Sequence, residues 1–335
     1  MGKNITMKDV AEQLGVSTVT VSKALSGKEG VSEAVRDTIK QKAEEMGYRY
    51  NIIAKSMKEG MNYNIGILVA DRFMHDRAFY TKIYQRLMKD LMTMNYFGIL
   101  EVIPEEMEMG GILPQVLQNN KVDGIIILGQ MDRDFIERID QAGFPFVFLD
   151  FTDEHFPVDS IVSDSFYGAF EITNYLISEG HTKIGFVGNR DATRSIMDRY
   201  IGYYKALLQN KIAVNEDWII SDRDEKGKFC ELKLPKDMPT AFVCNCDEIA
   251  YYLILELKKA GYQVPEDVSV VGYDNYVYAA LSNPPITTVE VNVDAMSEMA
   301  VNSIIKKMKH PKADFGRKVV SVRIVKGASV TKATR

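Results

Sequence analysis

Four aspartates follow directly on short apolar runs: Asp150 closes PFVFLD, Asp164 follows SIVS, Asp247 follows FVCNC and Asp274 follows SVVGY. A carboxylate just past a buried strand stands where open α/β sheets hold their ligands, and it accepts hydrogen bonds from hydroxyls. Ser195 and Arg199 are four residues apart near a helix start, hence on one face, and a guanidinium forks onto two oxygens. Each acid alone reads equally well as a helix N-cap or a solvated loop residue. A different chemistry is written in TMKDVAEQLGVSTVTVSKALSG. Thr18, Val19, Ser22 and Lys23 gather on the outer face of one short helix. Lys23 suits guanine O6 and N7, while Ser17 and Thr20 suit phosphate oxygens.

The elements that must position these groups are of two kinds. Thr6 with Asp9 forms a capping-box pattern; Val10, Ala11 and Leu14 share a face and Gly15 stops the helix. A second helix begins at Ser17 or Thr18 with Val21 and Leu25 inward, and a third runs from Ser32, its N-cap, through Val35, Ile39 and Ala43 to Gly47. This is a helix-turn-helix pattern, whose second helix enters the major groove; an ordinary three-helix bundle shares the spacing. From Tyr63 the period changes. NIGILVA, YFGILEV, DGIIIL, KIGFVG, TAFVCN and VSVVGYD are buried-strand runs separated by amphipathic stretches, several stopped by Gly or Asn at Asn95, Gly143, Gly180 and Gly261. Alternating strand and helix predicts an α/β fold with parallel doubly wound sheets.

MKDVAEQLGVSTVTVSKALSG and VSEAVRDTIKQKAEEMGYRYN resemble the DNA-binding head of the lactose repressor (LacI/GalR) family of bacterial transcription regulators. The resemblance continues through ISEGHTKIGFVGNRDATRSIMDRYIGYYKAL and VPEDVSVVGYDNYVYAALSNPPITTVEV and covers nearly all 335 residues. It implies a helix-turn-helix head over 1–49, a hinge over 50–61 and an effector-binding, dimerising body over 62–330. That body is of the two-lobed periplasmic-binding-protein type, with lobe 1 near 62–160 and 291–320 and lobe 2 near 161–290 and 321–330. The family hinge reads Y-x-P-N-x-x-A-R-x-L. Tyr48, Asn51 and Ala54 match it, whereas Tyr50 stands for the proline, Lys55 for the arginine and Met57 for the leucine that wedges open the minor groove.

The same resemblance assigns Asp150, Arg199 and Asp274 to the effector cleft and makes Phe79 and Tyr80 the aromatic pair after the first strand, able to cover an apolar sugar face. Arg223 in SDRDEKG reaches toward the cleft on a looser alignment, and Cys246 stands where the family commonly has Asn. Several carboxylates facing one clear arginine favour a neutral polyol over a phosphorylated effector, because unpaired like charges in a closed cleft are costly. A purine would also suit one aromatic and two carboxylates.

Other chemistries find little in the chain. No G-x-G-x-x-G or P-loop follows any strand, so no nucleotide cofactor is implied. Cys244 and Cys246 lack nearby histidine for zinc, and the four histidines neighbour no nucleophile. The three cysteines fit a reducing cytoplasm, and neither a signal peptide nor a membrane span is legible. The net charge of -5 conceals an asymmetry: residues 1–60 carry 10 basic and 8 acidic side chains, the remainder 31 and 38. The expectation is a non-enzymatic homodimeric repressor that binds a near-palindromic double-stranded operator and answers to a mono- or oligosaccharide. A regulator gated by a phosphocarrier protein and a sugar-processing enzyme with a borrowed head, Asp150 and Asp274 acting as its carboxylate pair, are the alternatives.

Overall fold

The computed structural model describes residues 5–48, 59–74, 78–156, 158–224 and 227–333. The chain divides into two compact units, Met1–Asn62 and Tyr63–Arg335. The first holds α1 (Met7–Leu14), α2 (Thr18–Leu25) and α3 (Glu33–Glu45). Thr6 and Asp9 make the reciprocal capping box at α1, and Gly15, at φ 64°, closes it in the left-handed region that favours glycine. Ser17 caps α2 by accepting from the Thr20 amide. Val10, Ala11, Val21, Ala24, Ile39 and Ala43 form the small core. Val35 does not join it and is 41% exposed. At 100° per residue, positions 35 and 43 differ by about 80° around the helix, so a four-residue repeat drifts off the buried face.

Among the described residues the second unit has twelve strands: β1 (Asn64–Ala70), β2 (Phe97–Ile103), β3 (Gly124–Leu128), β4 (Phe146–Leu149), β5 (Ser160–Ser163), β6 (Ile184–Val187), β7 (Ile219–Ile220), β8 (Ala241–Cys244), β9 (Ser269–Asp274), β10 (Thr287–Glu290), β11 (Arg317–Val320) and β12 (Arg323–Val325). They form two six-stranded sheets, ordered β11-β5-β4-β3-β1-β2 and β12-β10-β9-β8-β6-β7. The helices between them are α4 (Ala78–Thr93), α5 (Glu105–Gly110), α6 (Gln115–Gln118), α7 (Arg133–Gln141), α8 (Ser165–Ser178), α9 (Arg194–Gln209), α10 (Asp247–Lys259), α11 (Val277–Leu281) and α12 (Val293–Lys309). None is long and apolar enough to cross a membrane. Asn95, Gly143, Gly180 and Gly261 stop their helices at φ between 60° and 96°.

The strands pair in parallel except β12, which runs antiparallel on β10. The chain passes between the sheets three times, from β5 to α8, from β10 to α12 and from β11 to β12. β10 leaves its sheet toward the first lobe while β12 arrives from it, so the two must run in opposite directions. α8 and α9 pack closely, and Gly202 permits it: a Cβ there would lie 2.2 Å from the Phe166 carbonyl oxygen.

Candidate functional site

A cleft open to solvent is lined by residues from both lobes. Asp150 follows β4 and Asp274 ends β9, each about nine-tenths buried and each in the left-handed backbone region, at φ 67° and 106°. Such strained non-glycine residues cluster at ligand sites. Asp150 Oδ2 accepts from the Tyr80 hydroxyl at 2.9 Å. Burial pushes the Asp150 carboxyl up, against the opposing pull of Arg199 and Tyr80. Burial likewise pushes Asp274 up to about 7; the Arg199 charge works against it, and Asp150 and Glu248 add to it.

Arg199, one turn into α9, is the cation between them. It donates from Nη1 to the Asn245 carbonyl, stands 3.5 Å from Asp274 Oδ1, and lies 3.9 Å over the Tyr273 ring. Its Nε–H is buried, and among the described residues nothing accepts from it. Ser195 lines the cleft on the same face of α9, its hydroxyl 3.1 Å from that of Thr193.

Arg223 also lines the cleft, and its guanidinium is occupied: Nε lies 3.0 Å from both oxygens of Asp222. Asp222 is fully buried and accepts further bonds at 2.8 Å from the Asn189 amide and the Asn245 side chain. Burial acts to raise its pKa, but Arg223 and these donors prevail and hold the carboxyl below its ordinary range. Phe79 and Tyr80 flank the opening at the start of α4, with Phe73 against Tyr80 at 5.1 Å between centroids.

Two of the acids read as ligand groups are used otherwise. Asp164 is not among the cleft-lining residues; it caps α8 by accepting from the Tyr167 amide, because the crossing into α8 leaves free N–H groups that an adjacent carboxylate satisfies. Asp247 borders the cleft, yet Thr288 donates to Oδ1 and the Tyr276 amide to Oδ2. Burial, reinforced by Asp274, raises its pKa well above the usual carboxylate range.

Sequence reasoning passed over Phe73, Glu248, Tyr276 and Tyr278, which also line the cleft. Tyr276 and Tyr278 follow Asp274 within four residues, a proximity that was available as a signal. Asp222 was equally adjacent to Arg223. Trp218 is buried, with Nε1 bonded to the Asp237 carbonyl, and His181 is held between Thr240 and Thr331. Both belong to lobe packing.

On the three-helix unit Thr18, Val19 and Lys23 are exposed, and Ser22 is half-buried beside them. Val19 is 62% exposed, an apolar group with no core to fill and a fit to a thymine methyl. The hydroxyls of Ser17 and Thr20 bond each other at 2.8 Å, and Thr6 is tied to Asp9, so these three first of all hold helix starts. Ser32 precedes α3 without a side-chain cap bond. Asn51, Ala54, Lys55 and Met57 lie outside the described residues.

A helix-turn-helix unit joined in one chain to two parallel α/β lobes around a polar, aromatic cleft defines a DNA-binding protein with a small-molecule site. The pattern of bacterial regulatory proteins of the lacI family matches residues 6–51, and that of the periplasmic binding protein-like domain matches residues 173–330. The HTH-type transcriptional repressors PurR of Aliivibrio salmonicida and Vibrio atlanticus are 28% and 29% identical, each alignment covering 91% of this chain and 92% of the relative. The lac repressor dimer bound to operator and the anti-inducer ONPF superposes with a TM-score of 0.73 at 22% identity, over 98% of this chain and all of that one. A transcriptional regulator CelR–cellobiose complex gives 0.68 at 22% identity, over 97% of this chain and all of that one. A ribose-bound LacI family regulator from Enterococcus faecium gives 0.69 at 23%, over 81% of this chain and all of that one. The chain thus carries a lacI-family helix-turn-helix domain and a periplasmic binding protein-like domain, and is a DNA-binding transcriptional regulator.

Proposed function

We propose that this regulator is a homodimeric repressor whose operator affinity is set by a small saccharide held between the lobes. The observation that carries the reading is the cleft: buried acids, the Arg199 guanidinium and aromatic rings from both lobes converge on one cavity. Carboxylates accept from sugar hydroxyls, a guanidinium donates to sugar oxygens, and rings cover the apolar face. Saccharide-bound relatives of the same fold support the choice. Apolar side chains exposed along β2 and on α10 and α11, among them Phe97, Val102, Tyr252 and Leu281, offer a face for the second copy. We further assign residues 1–49 to operator binding, with α2 in the major groove, 50–61 to the hinge and 62–330 to the effector body. Ligand acts through its different affinity for two lobe arrangements. The test is electrophoretic mobility shift with a genomic fragment pool at low salt. The reading requires capture of a near-palindromic fragment and its release or retention by one saccharide; no captured fragment sinks it. A planar base is the second reading, favoured by Phe73, Phe79, Tyr276 and Tyr278 around one cavity, and nucleobases belong in the same screen.

A further inference from the structure

The charges described around the cleft are unbalanced. Among the described residues that line it, four are acids, Asp150, Asp247, Glu248 and Asp274, and two are arginines. Arg223 is neutralised by the buried Asp222, which holds it with two oxygens. Arg199 is left to serve the cavity, and it stands beside Asp274. Lys82 lies at the edge, over the Tyr276 ring at 5.4 Å, and is not part of the lining. Asp247 has protein donors on both oxygens.

Asp150 differs from the others. It is only 8% exposed and lines the cavity, yet one oxygen alone, Oδ2, is bonded, to Tyr80. Among the described residues nothing donates to Oδ1, and no cation stands within ion-pair distance. A buried carboxylate in that condition is costly unless a partner arrives with the ligand. The rings of Tyr80 and Phe79 adjoin it, their centroids 5.8 Å apart, and aromatic faces attract cations.

We propose that the effector is an amino sugar, a saccharide carrying a protonated primary amine, whose ammonium sits against Asp150 Oδ1 beside the rings of Tyr80 and Phe79. Its hydroxyls then fall to Asp274. The inference rests on the saccharide reading above and narrows it. The upward shifts of both Asp150 and Asp274, caused first by burial, agree with a cavity in which, among the described residues, acids outnumber the one arginine not neutralised by Asp222. Phosphorylated and carboxylated sugars are disfavoured by the same count.

The experiment is titration calorimetry at neutral pH on the full chain with D-glucosamine, D-galactosamine and D-mannosamine, each beside its parent hexose and its N-acetyl derivative. At least one amine should bind about ten-fold or more tightly than both neutral counterparts, since charge-assisted hydrogen bonds are roughly twice as strong as neutral ones. Asp150→Asn should abolish that preference. Asn tolerates the left-handed backbone of this position, so the variant should fold, which its melting temperature reports. A neutral hexose or N-acetyl sugar binding as well as its amine overturns the amine and leaves the saccharide reading standing. Silence from every sugar overturns both. A preference for the amine that survives Asp150→Asn overturns the assignment to Asp150.

Discussion

Replacing Asp274 with Asn should make the unliganded protein more stable, and increasingly so as pH rises. In the folded state this carboxyl titrates near 7, against an ordinary 3.8, because burial outweighs the attraction of Arg199. Between those two values the folded state holds a proton that the unfolded state has lost, so the contribution of Asp274 to stability falls as pH increases through that window. At about 1.4 kcal/mol per pH unit, the loss accumulates to about 4 kcal/mol by pH 7. Asn keeps the shape and the acceptor facing Arg199 but never ionises. The variant should therefore match the wild type near pH 4 and exceed it by up to about 4 kcal/mol at pH 8. Asp150 shares the cavity and is raised in the same direction, so removing the Asp274 charge should also ease its ionisation. The assay is urea denaturation from pH 4 to 8 at one protein concentration, which keeps any dimer contribution fixed. A stability difference that stays constant with pH, or a wild type that gains on the variant toward pH 8, refutes the reasoning. The same variant should bind effector more weakly, the usual exchange of function for stability in a ligand site.

Lys23→Ala should cost about 1–3 kcal/mol of operator affinity and relax sequence preference at one base pair, read by mobility shift on a mutated operator series. Gly202→Ala would gain about 1 kcal/mol from helix propensity. The contact 2.2 Å from the Phe166 carbonyl reverses the sign, and thermal melting should show a net loss of about 2 kcal/mol. Thr6→Ala removes the side-chain half of the capping box, leaving the Thr6 amide on the Asp9 carboxylate, and should destabilise the three-helix unit by about 1 kcal/mol in the same measurement. Met57→Ala, in the segment proposed as the hinge, should weaken specific operator binding while the slope of nonspecific affinity against salt stays nearly unchanged.

The elements were legible wherever one physical signal acted alone. Buried strands are continuous apolar runs, and the helix stops at Asn95, Gly143, Gly180 and Gly261 are left-handed positions that few residues accept. The capping box at Thr6 is equally local. What escaped were features fixed by distant partners. Asp164 and Asp274 both stand at strand ends, and only the folded chain sends one to a helix start and the other to a cavity. Arg223 was readable as a cleft residue, but its neutralisation by Asp222 depends on Asn189 and Asn245 arriving from other loops. Val35 misled because a four-residue repeat drifts around a helix. The direction of β12 followed from the third crossing rather than from anything in Arg323–Val325.

The three passages between the sheets mean that neither lobe is continuous in sequence. The first lobe lacks α12 and β11 until residues 293–320 have been added, and the second lacks β12 until after that. On the ribosome, the three-helix unit can fold as soon as it emerges, whereas β5 waits for its outer neighbour β11 through roughly half of translation. A premature stop before residue 317 would thus release a chain able to form the three-helix unit but carrying two incomplete sheets with unpaired edges, a form that proteolysis would be needed to clear.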